Sequence, residues 1–326
     1  MSSPPLSRLA RFPVGLFAMP VGLFALAGTW RRALGFGWEV ALPVGDAIAG
    51  LALLVLVLLL LAYAAKAWRH PQVIKGEFTH PLVGSLLALI PLSLMMCTVY
   101  FGQPRHLGWL LFSLGALAVQ GVVALRIVAL LATGNLPAVA VTPALYLPPV
   151  AGGLVGAMAF NTLGYPGWAA LLFGMGLASW ALLEARVLNR LFEGAMPEAL
   201  RPTIGIELAP PSVATLVAGA IWPSLPGEVL IVGLGIAAGP VVAVMARWHW
   251  WSRVPFAIGF WSFSFPVAAL AGGVIEVVRR GNWPHLVGGI ALLLASGIIL
   301  FLAAKTLQLI ARGKLIPPSP AAHATP

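Results

Sequence analysis

The sequence has few charged residues and a single cysteine. Only 9% of its 326 residues are Asp, Glu, Lys or Arg, whereas a soluble domain carries about 25%. So few charges cannot cover a water-exposed surface, which excludes a soluble globular protein. Cys97 stands alone inside an apolar run and the six histidines are scattered, which excludes a disulfide framework and a cysteine-based metal site. We therefore expect no metal and no cofactor.

Acidic residues are scarcer still, with nine in the chain and Asp46 as the sole aspartate. A membrane-embedded enzyme would need His, Asp or Glu clustered in or near the apolar segments, and the sequence contains no such cluster. A nucleotide-driven pump would need a P-loop and a soluble domain, and neither is present. The net charge of +10 is explained by retention of Lys and Arg on one side of a membrane, so we expect no nucleic-acid partner and no enzymatic activity.

Long apolar runs dominate what is present. The chain is 60% hydrophobic with a mean hydropathy of +0.97, and its apolar runs reach the length of about 20 residues that a transmembrane helix needs. The sequence therefore predicts an all-α integral membrane protein. We predict ten spans, at residues 12–30, 46–66, 81–101, 108–132, 141–162, 167–189, 203–222, 227–246, 255–275 and 284–310. Residues 12–310 then form one transmembrane domain, between a cytoplasmic tail at 1–11 and a disordered cytoplasmic tail at 311–326.

The distribution of Lys and Arg predicts the orientation. Ten spans with a cytoplasmic N-terminus place 14 of the 19 cationic residues on the inside and five on the outside. The five outside are Arg31, Arg32, Arg105, Arg279 and Arg280. Because cytoplasmic loops retain Lys and Arg, we expect a multi-pass plasma-membrane protein with both termini in the cytoplasm.

Proline is concentrated in the odd-numbered spans. These internal prolines include Pro20, Pro91, Pro148, Pro210 and Pro266, whereas Pro240 is the main exception among the even spans. Proline frees a backbone carbonyl that must find another partner in hydrocarbon. Kinked helices therefore suit the protein interior, and straight Leu- and Val-rich helices suit contact with lipid. The pattern predicts five kinked inner helices surrounded by five outer ones.

The odd spans also carry recognisable sequence segments. These are FPVGLFAMPVGL at 12–23, VTPALYLPPV at 141–150, RPTIGIELAPPS at 201–212 and FWSFSFPV at 260–267. Together they resemble the tellurite-resistance/dicarboxylate transporter family, which includes the bacterial TehA proteins and the plant slow-type guard-cell anion channels. The resemblance extends from about residue 8 to 310, and the segment that begins at Arg201 is its most specific part.

This resemblance implies a particular architecture. Ten helices would form five hairpins around a quasi-fivefold central pore lined by the odd helices, and subunits would form homotrimers with one pore each. A phenylalanine on the ninth helix would plug the pore, and the Trp-x-x-x-Phe-Pro pattern places that role on Phe265. Phe263 corresponds to a neighbouring pore aromatic. A bacterial member would reside in the inner membrane.

Two functions remain open on the sequence. The first is a passive channel for small monovalent anions such as chloride and nitrate, gated by Phe265. The second is a secondary transporter, proton-coupled or not, for a dicarboxylate, sulfite or a tellurite-type oxyanion. Glu207 would then be a proton site or a site that tunes how anions enter. It is also explained as a carboxylate near a helix N-terminus, stabilised by the helix dipole and by Arg201.

Overall fold

The computed structural model describes residues 7–316, so the two ends of the predicted tails, 1–6 and 317–326, lie outside the described residues. Ten helices within this part of the chain are long and apolar enough to cross a membrane, and the predicted number is confirmed. They are α1 (Val14–Phe36), α2 (Ala41–Arg69), α3 (Pro81–Phe101), α4 (Leu107–Ala132), α5 (Pro143–Thr162), α6 (Pro166–Glu193), α7 (Glu198–Ile221), α8 (Gly227–Ala246), α9 (Ile258–Arg280) and α10 (His285–Ala311). Short helices at Pro71–Thr79 and Trp248–Ser252 lie in the connections.

The predicted boundaries were too narrow where charged residues extend a helix. Helix α9 was expected to end at residue 275, yet it continues to Arg280. The charged last turn remains helical because Glu276 forms ion pairs with Arg279 at 2.7 Å and with Arg280 at 3.4 Å. Charges that neutralise one another within a turn do not end a helix, although they lower its hydropathy.

Each odd helix consists of two main segments rather than one kinked α-helix, and α1 ends with an additional 3₁₀ turn at Ala33–Phe36. The first segment is 3₁₀-helical in α1, α7 and α9, a short α-helix in α3, and 3₁₀ followed by a π-turn in α5. The second segment is a regular α-helix. The paired segments are Val14–Phe17 and Ala18–Arg32, Pro81–Leu86 and Leu89–Phe101, Pro143–Ala151 and Gly152–Thr162, Glu198–Leu208 and Ala209–Ile221, and Ile258–Phe263 and Ser264–Arg280.

The prolines account for where the second segments begin. Pro20, Pro91 and Pro266 are each the third residue of an α-helical segment, and Pro210 is the second residue of another. The first turn of a helix has no internal acceptor for its N–H groups, so a residue without an N–H costs little there. Pro148 differs, because it lies within the π-turn of α5. The prolines therefore mark a change of helix type.

The odd helices are interior and the even helices are peripheral, as the proline pattern predicted. Between 61% and 83% of the residues in the most apolar stretch of each odd helix are buried. The corresponding range for the even helices is 17% to 33%. A helix that is apolar on all sides and largely exposed within the protein is suited to contact with lipid.

The odd helices contact one another in a closed order. Helix α1 contacts α3, α3 contacts α5, α5 contacts α7, α7 contacts α9, and α9 contacts α1. Each odd helix also packs against the even helix that follows it in the sequence. The interior of the protein is therefore bounded by five helices. The first segments of all five lie at the same end of the ring, where they line one cavity.

Two backbone carbonyls of α5 accept hydrogen bonds from the neighbouring helix α4. The Gln120 side chain is buried, and its Nε2 donates to the carbonyl oxygens of Leu147 at 2.9 Å and Pro148 at 2.7 Å. Gly152 permits this approach, since a Cβ there would lie 2.7 Å from Gln120. One buried amide thus donates to two carbonyls at the start of the π-turn and links α5 to α4.

Replacing Gln120 with leucine should destabilise the protein. Two buried carbonyls would lose their donor, at a combined cost of about 2 kcal/mol. The thermal unfolding midpoint in detergent should then fall by about 5 °C. Gln308→Leu is the matched control, because Gln308 is exposed on α10. Equal midpoints for the two variants would contradict this role of Gln120.

Candidate functional site

The ring of odd helices encloses two cavities that follow one another along the helices. The N-side cavity, of about 580 Å³, lies towards the N-terminal ends of the odd helices. The C-side cavity, of about 280 Å³, lies towards their C-terminal ends. Every odd helix contributes to both walls. Representative N-side residues are Val21, Leu92, Leu154, Val213 and Phe265. Representative C-side residues are Phe24, Tyr100, Asn161, Ala220 and Ala269.

Phe265 is the residue that lines both cavities. It is half-buried and is the second residue of the α-helical segment of α9. Its ring therefore lies where the two cavities approach each other. The sequence pattern alone could not establish this position, since the chain contains 15 phenylalanines.

The backbones of α1 and α9 approach closely beside Phe265. A Cβ added to Gly22 would lie 2.0 Å from Ser264 Oγ, so only glycine fits this position of α1. The Ser264 hydroxyl donates to the carbonyl oxygen of Trp261 at 2.6 Å, across the junction between the two segments of α9. These contacts determine where the α-helical segment of α9 begins. They therefore also determine the position of Phe265, its second residue. No local sequence pattern indicates the pairing of Gly22 with Ser264.

Phe263 lies outside both cavities. Its ring is buried and packs on Trp251, with a centroid separation of 4.7 Å. Residues two apart on a helix point to different faces, so Phe263 and Phe265 cannot both face the interior of the ring. Among the predicted prolines, Pro210 and Pro266 line the N-side cavity. Pro20, Pro91 and Pro148 are buried in the surrounding wall.

Glu207 faces away from the cavities, towards α8. Its side chain is 8% exposed and accepts a hydrogen bond from Arg247 Nη2 at 2.8 Å. Arg201 is not its partner, because that guanidinium pairs with Glu198 at 3.6 Å and covers the Trp250 ring. The buried oxygen Oε1 of Glu207 has no hydrogen-bond partner in the described residues.

Two arginines of the C-side cavity were not identified from the sequence as lining residues. Arg31 and Arg32 fall just beyond the predicted end of the first span, yet α1 continues through them and both line the cavity. Arg31 pairs with Asp46 at 3.2 Å, and Arg32 pairs with Glu276 at 3.0 Å.

The charges around the C-side cavity do not cancel. Glu276 accepts hydrogen bonds from Arg32 and Arg279 and forms an ion pair with Arg280, so one carboxylate faces three guanidinium groups. Together with Arg31 and its partner Asp46, this leaves four cations against two anions. The excess favours anions in the cavity.

Comparison with known proteins identifies relatives of this chain. Residues 11–307 match the family model described as SLAC1, voltage-dependent anion channel. The chain is 27% identical to the tellurite resistance protein TehA homolog of Haemophilus influenzae, over 93% of this chain and 92% of that protein. It is 23% identical to the guard cell S-type anion channel SLAC1 of Arabidopsis thaliana, over 82% of this chain and 50% of that protein. The chain thus spans about half the length of the plant relative.

Proposed function

Because this chain belongs to the SLAC1 family of voltage-dependent anion channels, we propose that it conducts small monovalent anions passively through the ring of odd helices. The two cavities are the two vestibules of the pore, and Phe265 is the gate between them. Chloride and nitrate are the proposed permeant ions. The family consists of anion transport proteins, which are not enzymes.

The position of Phe265 carries this proposal. A bulky apolar ring between two cavities excludes water from the narrow part of the path, and an ion cannot cross a dewetted constriction. The side chain is half-buried, and the α-helical segment begins one residue earlier, at Ser264. A change of its rotamer would connect the cavities without disturbing the rest of the ring.

The charges on the walls support passive conduction. Among the described residues, the cations of the C-side cavity are Arg31 and Arg32, and those of the N-side cavity are Arg11 and Lys314. No cation lines the cavities between these two ends in that part of the chain. Ions would therefore be attracted at the ends and held weakly at the centre. Weak binding permits fast exit, which suits a channel more than a transporter.

The remaining expectations follow from orientation and surface. We propose that the N-side cavity faces the cytoplasm, with residues 1–11 and 311–326 as cytoplasmic tails and the plasma membrane as the location. In a bacterial cell this is the inner membrane. The exposed apolar faces of the even helices would contact lipid and neighbouring subunits in a homotrimer.

A coupled transporter is the alternative function, and Glu207 distinguishes it from a channel. Because Glu207 faces Arg247 and not the cavities, Glu207→Gln should leave the anion current within about twofold of wild type. The wild-type current should reverse at the equilibrium potential of the anion, as it does for a passive conductor. These values are measured by voltage clamp under chloride and nitrate gradients.

Loss of transport in Glu207→Gln would favour the transporter, provided that the variant folds. Arg247→Gln is the matched control, since it breaks the same ion pair without removing a proton site. If both variants lose activity equally, the pair is structural. If Glu207→Gln alone abolishes anion-driven proton uptake in liposomes, the channel assignment is wrong.

A further inference from the structure

The N-side cavity is apolar in its interior. Most of its wall is aliphatic, and the side chains nearest the level of Phe265 include Val21, Leu92, Val150, Leu154 and Val213. Its volume of about 580 Å³ is within the range of about 300–1,000 Å³ that small-molecule sites occupy. A hydrated inorganic ion gains little from such a wall, whereas an alkyl chain gains by leaving water.

The polar groups of this wall are already occupied. Tyr146 donates its hydroxyl proton to Glu184 Oε2 at 2.7 Å, and Thr203 donates to the Leu200 carbonyl at 2.6 Å. Ser262 donates to the carbonyl of Pro202, and the Trp261 indole N–H donates to Thr306 at 2.8 Å. Each of these side chains has one proton to donate. The hydroxyl and indole groups that line the cavity in residues 7–316 therefore offer no donor to an anion inside it.

Positive charge is found at the end of the cavity away from Phe265. Arg11 and Lys314 lie outside the spans, before α1 and after α10, and both line the cavity. Glu77 also lines this end, but its carboxylate accepts from the buried Lys66 and from the Tyr63 hydroxyl. The negative charge of Glu77 is thereby compensated by Lys66, and Lys314 contributes a positive charge to this end of the lining.

We propose that the N-side cavity binds a medium-chain alkyl carboxylate. The carboxylate lies beside Lys314, and the chain extends along the aliphatic wall towards Phe265. A molecule in this position occupies the path of the inorganic anions and blocks the current. The proposed binding depends only on the shape and lining of the cavity. The proposed block of the current also depends on the proposed channel function.

Chain length gives the first test, with hexanoate, octanoate and decanoate applied to the N side of membranes that contain Phe265→Ala. Each added methylene should tighten the block about threefold to fourfold, or on the order of a hundredfold from hexanoate to decanoate. Octanesulfonate, which remains charged and does not cross the bilayer as a neutral acid, should block from the N side only. Block by octanol at the same concentration, or equal block from both sides, would show an effect on the bilayer and overturn the proposal.

A charge-reversal pair gives the second test. Lys314→Glu should weaken the block by octanoate at least about threefold, the effect of one nearby unit charge in water. Arg312→Glu is the matched control, since Arg312 is exposed in the same segment but does not line the cavity. Equal effects of the two substitutions would overturn the placement of the carboxylate.

Direct binding separates this proposal from the proposed function. Radiolabelled decanoate should bind wild-type protein in lipid nanodiscs and be displaced by unlabelled decanoate but not by acetate. If binding is found and no variant conducts, the channel proposal fails and the site remains. If the variants conduct and no saturable binding is found, the site is wrong.

Discussion

Replacing Phe265 with alanine should raise the anion current by roughly tenfold or more over that of the wild-type protein. The ring of Phe265 lines both cavities, so its removal joins two vestibules of about 580 Å³ and 280 Å³ into one path. Widening a hydrophobic constriction allows water, and then ions, to pass. A tenfold rise corresponds to about 1.4 kcal/mol off the barrier, which is modest for the removal of such a plug. The measurement is steady-state current per molecule at the surface, in symmetrical chloride.

Phe263→Ala is the matched control for this experiment. It removes the same side chain two residues away, but Phe263 packs on Trp251 and lines neither cavity. Its current should remain near the wild-type level, although the loss of packing should lower stability. Phe265→Leu should give an intermediate current, because leucine is apolar but smaller. Equal currents in Phe265→Ala and Phe263→Ala would show that the ring of Phe265 is not the barrier.

Replacing Arg32 with glutamine should reduce the current carried by anions that enter the pore through the C-side cavity. A unit charge about 6 Å from a permeating anion in a watery cavity contributes about 0.7 kcal/mol, or roughly threefold in local anion concentration. The current through Phe265→Ala should therefore fall about threefold at low salt, with a smaller change above physiological ionic strength because the charge is screened. The variant should fold, since Glu276 keeps Arg279 and Arg280 as partners.

Arg279→Gln separates cavity charge from fold stability. Arg279 pairs with the same Glu276 at 2.7 Å, but it does not line the C-side cavity. Its effect on current should be clearly smaller than that of Arg32→Gln. If both substitutions act equally and the effect does not depend on salt, the arginines stabilise this end of the protein and do not concentrate anions.

Much of the fold could be predicted from local properties of the sequence. The lengths of the apolar runs, such as Leu51–Leu61, can be read directly from the sequence. They predicted ten helices correctly because only short loops separate the runs. Proline position gave the buried helices, because a helix with freed carbonyls needs neighbours to satisfy them. Gln120, whose side chain donates to two carbonyls of α5, lies 27 residues before Leu147 on another helix. Such pairings depend on the three-dimensional packing and leave no local signal.

The site was less predictable for the same reason. Phe265 was suggested by family resemblance and not by composition or spacing, and Phe263 was included because the resemblance covered both. The partner of Glu207 is Arg247, 40 residues away, and not the nearby Arg201. Arg31 and Arg32 looked like loop residues, because their charge ends a hydropathy run although the helix continues. The partner of Glu207 was missed because the contact joins segments that are distant in the sequence. Arg31 and Arg32 were missed because ion pairs allow the helix to continue past the apolar run.

Thiol accessibility can show directly whether Phe265 separates the two cavities. In a Cys97→Ala background, which has no other cysteine, Ala18→Cys and Ala25→Cys place one thiol in each cavity. The two positions are seven residues, or about 10 Å, apart on α1. Each is then treated with a small anionic methanethiosulfonate that does not cross the bilayer, applied from one side of the membrane at a time.

With Phe265 intact, we predict that the thiol at position 18 reacts from the N side only and the thiol at position 25 from the opposite side only. With Phe265→Ala, both thiols should react from either side. The reactive side of position 18 also identifies the face of the membrane on which the N-side cavity opens. Reaction of both thiols from the same side while Phe265 is intact would show that Phe265 does not separate the two cavities.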